Sequence, residues 1–132
     1  IGRVPGRGPD RAGRVGHVES GLAHGGFGIA VGAAGGVTIP AQVIRVLIGT
    51  LDWGLPPDQA LALPVIFAPG GNTVFLEKGT ELEAMAPALG QLGHGDLQYR
   101  APISFKAQAI LIDGHTLKGA ADPRSEGQAI SE

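Results

Sequence analysis

The sequence predicts a mixed α/β (α+β) layer structure. Three observations lead there. Apolar runs of strand length stand at Phe27–Val31, Val65–Ala68, Thr73–Leu76 and Phe105–Ile112, set off by glycine, proline or asparagine. Between them lie stretches with helical spacing, the clearest of which follows "AVGAAGGVTIP" at Ala30–Pro40. Asp113-Gly114 then separates two alternating runs and marks a hairpin close to the C-terminal end.

Of 132 residues, 43% are apolar and 17% charged, a balance that supports one packed domain. The formal net charge of -2 gives no electrostatic case for nucleic acid or an anionic membrane as partner. Cysteine is absent, which excludes disulfides, thiolate metal sites and a cysteine nucleophile. No apolar run approaches the ~20 residues that span a bilayer. The first residues do not read as a signal peptide, and Ile1 in place of Met leads us to expect a fragment or a processed chain.

The 23 glycines are unevenly placed. Residues 1–26 hold eight of them with four arginines and two prolines, and their few aliphatics keep no period. We read 1–26 as an irregular segment and set an organisational boundary before Phe27. From there Phe27–Val31 reads as a buried strand and Gly32–Gly36 as a turn. Thr38 is a candidate N-cap, with Pro40 in the first turn of a helix. Ile39, Val43, Val46, Leu47 and Thr50/Leu51 fall on one face of that helix. "LDWG" at Leu51–Gly54 reads as the helix end, with Trp53 packed underneath. Asp58–Leu63 is a short second helix stopped by Pro64. Val65–Ala68 and Thr73–Leu76 flank "PGGN" as a hairpin. "TELE" at Thr80–Glu83 is a capping box for a helix carrying Leu82, Met85, Ala86 and Leu89, with a kink at Pro87 and an end at Gly90 or Gly93. Leu97–Tyr99 is a brief strand, and His115–Gly119 returns antiparallel to Phe105–Ile112.

The chemical candidates are few. A glycine-rich turn between strand and helix presents backbone N–H groups and a helix N-terminus, which favour negative charge. "GAAGG" at Gly32–Gly36 is neither a dinucleotide fingerprint nor a phosphate loop. On pattern alone, close packing of strand on helix accounts for it better. His17, His24, His94 and His115 have no metal-ligand spacing, so no metal is expected. Ser104, Ser125 and Ser131 lack a nucleophile-elbow setting, and each threonine has a cap or strand explanation. Asp122 and Arg124, flanking Pro123 in "ADPRS", read as an ion pair or a carboxylate-to-backbone turn. No complete catalytic set emerges, and no cofactor is implied.

Four segments, in order, resemble the C-terminal part of the small subunit of γ-glutamyltranspeptidases (glutathione hydrolases). They are "VGAAGG" at Val31–Gly36, "LDWGLPPDQALALP" at Leu51–Pro64, "EKGTELEAMAPALGQLGH" at Glu77–His94, and "AQAILIDGHTLKGAADPRSEGQA" at Ala107–Ala129. The last is the most specific. The resemblance spans 27–132. It implies part of an N-terminal-nucleophile hydrolase αββα sandwich. It implies a precursor that cleaves itself to free a threonine, lying upstream of this chain, which attacks γ-glutamyl amides such as glutathione. The acyl-enzyme passes to water or to an acceptor amine. The resemblance assigns the oxyanion donors to the backbone of Gly35 and Gly36. Implied partners are a large subunit and the rest of the small subunit, and the implied location is periplasmic or secreted. The chain by itself is then expected to be inactive.

Two departures bear on this. Ala33-Ala34 stands where the family has Ser-Pro. The Ser-Ser-Met-x-Pro segment that holds the glutamyl end in the family is missing before the turn, where only Ser20 occurs. We expect residues 1–26 not to be authentic family sequence. Two rivals remain open: an acylase of the same superfamily, similar to cephalosporin acylases, and a non-catalytic binding domain.

Overall fold

The computed structural model describes residues 26–101 and 105–130. The segment assigned to 1–26 lies almost wholly outside the described residues, as do His17, Ser20, His24, Ser104 and Ser131. Among the described residues six strands form two three-stranded sheets. In chain order the elements are β1 (Phe27–Ala34), a 3-10 turn (Gly36–Thr38), α1 (Ile39–Leu47), a π-helical turn (Ile48–Asp52), α2 (Pro57–Ala62), β2 (Ile66–Gly70), β3 (Thr73–Glu77), α3 (Leu82–Gln91), β4 (Asp96–Arg100), β5 (Lys106–Asp113) and β6 (Thr116–Ala121). This is a mixed α/β fold, as the patterning predicts.

The first sheet is antiparallel with order β1-β5-β6, so β1 pairs with a strand that follows it by some 75 residues, Phe27 opposite Asp113 and Ala34 opposite Lys106. Alternation sends Ala107, Ala109 and Leu111 of β5 inward. Ala107 and Ala109 meet Val46 of α1 with Ala60 and Leu61 of α2, and Ile29, Val31 and Ala33 close the cluster from β1. Small residues on the sheet let both helices sit close to it.

The second sheet has order β2-β3-β4. β2 and β3 form the expected hairpin, with an irregularity between Phe67 and Gly70. β3 and β4 are parallel, with α3 as the crossover. Val74 and Leu76 pack against Leu82 of α3, flanked by Ala86, Leu89 and Leu97. Each sheet thus has its own apolar core against its own helices.

The ends of α3 follow the capping logic of the sequence, with a shift of one residue. Glu83 Oε1 accepts from the N–H of Gly79 at 2.7 Å, not from that of Thr80. At the other end His94 N–H donates to Leu89 O and Gly93 N–H to Gly90 O, the paired bonds of a Schellman motif.

Four expectations are corrected. β1 runs on to Ala34, so Gly32 belongs to the strand: its ladder with β5 continues to the last pair and the reversal begins only at Gly35. The hairpin turn is Gly114-His115, since Asp113 pairs with Thr116; Gly114 takes the positive φ of 60° that the first turn position demands. His115 therefore sits in an exposed turn and not on a strand. Leu51 is exposed and Trp53 is 63% exposed. The π-helical turn holds Leu51 and ends just before Trp53; its wider repeat turns both off the buried face, which ends at Thr50.

Candidate functional site

The site is built on the reversal between β1 and α1. Gly35 has φ 137° and ψ 19°, and Gly36 has φ 60°. Both are conformations that side chains with a Cβ rarely adopt. A Cβ at Gly36 or at Gly32 would meet nothing within 4 Å, so close packing does not explain either glycine. At Gly36 the backbone conformation does. Among the described residues, no acceptor pairs with the N–H of Gly35 or Gly36.

The reversal is held from below. Thr38 donates its N–H at 3.3 Å and its Oγ1 at 2.9 Å to Gly35 O. Its hydroxyl makes no cap bond to the helix, so the expected N-cap role is replaced by a tie back to the turn. Gln42, 0% exposed on α1, donates Nε2 to Ala34 O and to Thr38 Oγ1, each at 3.0 Å. Its Oε1 accepts from Lys106 N–H at 2.9 Å. A cleft of about 520 Å³ opens beside the turn. It is lined by Val37 and Thr38 on one side and by Phe67, Phe75 and Leu76 of the second sheet on the other. Phe67 and Phe75 stack with centroids 6.2 Å apart, and the Arg100 guanidinium lies 4.1 Å over the Phe75 ring.

A second cluster ties the two sheets together. Asp122, fully buried just past β6, accepts from Arg45 Nη2 at 2.9 Å and, through Oδ1, from Arg124 Nη1 at 3.1 Å and Arg124 N–H at 2.9 Å. Arg124 grips Glu77 of β3 and donates to the carbonyls of Leu61, Ala62 and Leu63. It thereby caps the C-terminal end of α2, where Pro64 bars a continued helix. Glu77 Oε2 also accepts from Val65 N–H at 2.8 Å. Arg45 Nη1 donates to Leu63 O as well, while its Nε is buried without a partner. Burial pulls the Arg45 pKa down against the hydrogen bond and charge of Asp122. Burial acts the same way on Arg124, but there the bonds to Glu77 and Asp122 prevail and the pKa rises. Both remain cationic at any working pH.

The fold therefore brings Gly35 and Gly36 together at a turn next to a cleft that Val37 and Thr38 line. It gives Asp122 and Arg124 the ion-pair role read from "ADPRS". Of the described hydroxyls, that of Thr38 holds the turn, whereas Ser125 Oγ donates to Asp122 O at 2.8 Å and Thr50 Oγ1 is buried without a partner. Among the described residues no group of three metal-ligating side chains exists. Gln42, Arg45 and Glu77 escaped the sequence reading. The one signal for Gln42 is a polar residue set between Ile39 and Val46 on the buried face of an apolar helix.

Two sheets, each packed against helical elements, with a glycine reversal leading into the first helix, give the chain the fold of part of an N-terminal-nucleophile hydrolase, as its solved neighbours show. The family model described as Gamma-glutamyltranspeptidase matches residues 20–132, and the chain belongs to that family. Among solved structures it is similar to gamma-glutamyltranspeptidase from Pseudomonas nitroreducens complexed with L-DON, at 24% identity and a TM-score of 0.66, over 79% of this chain and 55% of that one. A mutant of Helicobacter pylori gamma-glutamyltranspeptidase matches at 22% identity and a TM-score of 0.63, over 74% and 54%. Cephalosporin acylase from Bacillus halodurans matches at 31% identity and a TM-score of 0.66, over 74% of this chain and 19% of that one. The chain thus spans little more than half the length of the two transpeptidase chains. No curated protein matches it in sequence.

Proposed function

We propose that this chain supplies the oxyanion wall of an enzyme that transfers or hydrolyses γ-glutamyl groups, with glutathione as the expected substrate. The observation that carries the reading is the Gly35-Gly36 reversal. Two adjacent N–H groups without a described partner stand at the start of α1, beside a cleft, in a chain of the γ-glutamyltranspeptidase family. When a nucleophile adds to an amide carbonyl, negative charge gathers on its oxygen. Donors already fixed in place stabilise that charge without reorganising.

The nucleophile is assigned to a threonine upstream of this chain, freed by self-cleavage, whose own α-amino group serves as base. It forms an acyl-enzyme with the γ-glutamyl group and releases the amine. Water or a second amine then takes the acyl group. The chain would act with a large subunit and with further small-subunit sequence, in the periplasm or outside the cell. By itself it is inactive.

The test is release of p-nitroaniline from γ-glutamyl-p-nitroanilide by the complete enzyme, with mass spectrometry of the trapped acyl-threonine. Neither product nor adduct under single-turnover conditions would sink the proposal, as would turnover by this chain alone. A second reading, a cephalosporin-type acylase, draws on the 31% identity to the Bacillus halodurans enzyme and on the missing glutamyl-binding serines. Cleavage of a cephalosporin side chain with γ-glutamyl amides untouched would favour it.

A further inference from the structure

We propose that Gln42 is the positioning residue of the glycine reversal, its side-chain amide fixing the direction of both the Gly35 and Gly36 N–H groups. The inference rests on the γ-glutamyl-transfer reading for its kinetic consequence but not for its geometry.

A trans peptide is planar, so its C=O and N–H point to opposite sides. Nε2 of Gln42 holds Ala34 O at 3.0 Å. That carbonyl shares a peptide with the Gly35 N–H, which must then point away from Gln42 and α1. The next peptide is controlled at one remove. Nε2 also donates to Thr38 Oγ1 at 3.0 Å, which frees the Thr38 hydroxyl to donate to Gly35 O at 2.9 Å. Gly35 O shares its peptide with the Gly36 N–H. One side chain thus holds the first peptide directly and, through the Thr38 hydroxyl, supports the second, which the Thr38 N–H also ties at 3.3 Å.

The amide cannot turn over. Lys106 N–H donates to Oε1 at 2.9 Å, which fixes which end is oxygen. At the last register pair of β1 and β5, Ala34 with Lys106, the Gln42 amide bridges Ala34 O and Lys106 N–H. With both Nε2 hydrogens and Oε1 engaged and no exposed surface, the group is fully satisfied and rigid.

The experiment uses the complete enzyme carrying this chain, labelled with ¹⁵N at glycine. Gln42→Met keeps the length of the side chain and removes every bond. It is expected to shift the Gly35 and Gly36 amide resonances. It is also expected to cut kcat on γ-glutamyl-p-nitroanilide about 10- to 100-fold while KM moves less than about 3-fold. Gln42→Glu keeps the acceptor for Lys106 N–H but sets a carboxylate oxygen against Ala34 O. It is expected to lose kcat as far, and it tests the idea even where the methionine variant folds poorly. Val74→Ala, in the other sheet, is the control: it lowers Tm and leaves both resonances and kcat in place. Unmoved resonances in a folded Gln42 variant overturn the proposal, and so does a kcat loss that merely tracks the loss of Tm. Shifted resonances in an enzyme without γ-glutamyl activity support the positioning role and overturn the reaction assigned to it.

Discussion

Arg124 and Glu77 meet in a two-point grip: Nε reaches Oε1 at 2.8 Å and Nη2 reaches Oε2 at 2.9 Å, across 47 positions of sequence. The pair joins the segment after β6 to β3 and so links the first sheet to the second. Because each sheet keeps a separate apolar core, this ionic joint does what a shared core does in other small domains. Two parallel bonds need the planar guanidinium fork, which a lysine ammonium cannot offer.

Arg124→Met leaves Glu77 with no cationic partner, Asp122 with Arg45 as its one cation, and the Leu61 and Ala62 carbonyls without their cap, while Leu63 O keeps Arg45. The expected loss is about 3–5 kcal/mol in urea unfolding. Arg124→Lys should recover less than half of it. Arg45→Met removes a cation whose Nε is already unpartnered and leaves Asp122 paired to Arg124, so its loss should be smaller by at least ~1 kcal/mol. Equal losses for the two methionine variants would contradict the division of labour drawn here.

Gly49 tests packing where Gly36 tests conformation. A Cβ at Gly49 would lie 2.9 Å from Leu63 Cδ1, 3.0 Å from Ala60 Cβ and 3.3 Å from Ala60 Cα. The leucine end can swing away, but the Ala60 atoms are fixed to α2. Gly49→Ala should therefore push α2 outward and cost about 1–3 kcal/mol. A variant as stable as the parent by thermal unfolding would show that α2 moves freely.

Much of this architecture is legible in the residues. Periodicity finds all three α-helices and the strands, because each is a local pattern of apolar spacing. Its errors fall where a local rule meets a distant constraint. Ala33 and Ala34 look like turn residues until Ala107 and Lys106 of β5, 74 and 72 positions on, pair with them. Trp53 looks buried until a π-helical turn rotates it outward. The ionic joint is half legible: Asp122 and Arg124 lie two positions apart, whereas Arg45 and Glu77 come from other elements. Gln42 shows in the sequence only as a polar residue on an apolar helical face; its role needs the strand end that its amide enters, which no local pattern gives.

Asp96 gives the fold an acid-sensitive edge. Its carboxylate accepts from Thr73 Oγ1 at 2.6 Å and from Gln98 Nε2, and clasps the first register pair of β3 and β4. The Thr73 hydroxyl first, and then the Gln98 amide, hold its pKa below the usual carboxylate range. A depressed folded-state pKa stabilises the fold above the unfolded-state value, about pH 3.9, and that contribution is lost as pH falls through the folded value. Asp96→Asn should thus be less stable than the parent at neutral pH, with the gap closing below about pH 3.9. A gap that stays constant down to pH 2 in chemical unfolding runs against this.

Gly36→Ala separates the chemistry of the reversal from its packing. There is room for the methyl, since nothing lies within 4 Å, but φ 60° strains any residue with a Cβ. The strain is of order 1 kcal/mol. The chain can relieve it by turning the peptides on either side, at the expense of the direction of the Gly35 and Gly36 N–H groups. If those groups hold the oxyanion, the whole loss falls on the transition state. In the complete enzyme, kcat should then drop toward the 100-fold that loss of one donor brings, with KM nearly constant. Substrate binding does not use the developing charge, so KM has no reason to follow. Under the same assay, Gly32→Ala is the companion. A Cβ there also meets open space, and Gly32 lies within the β1 ladder at ordinary strand geometry, so kcat should stay within about 2-fold. A Gly36→Ala enzyme with unchanged kcat, or one in which Gly32→Ala is equally impaired, would remove the oxyanion role from this turn.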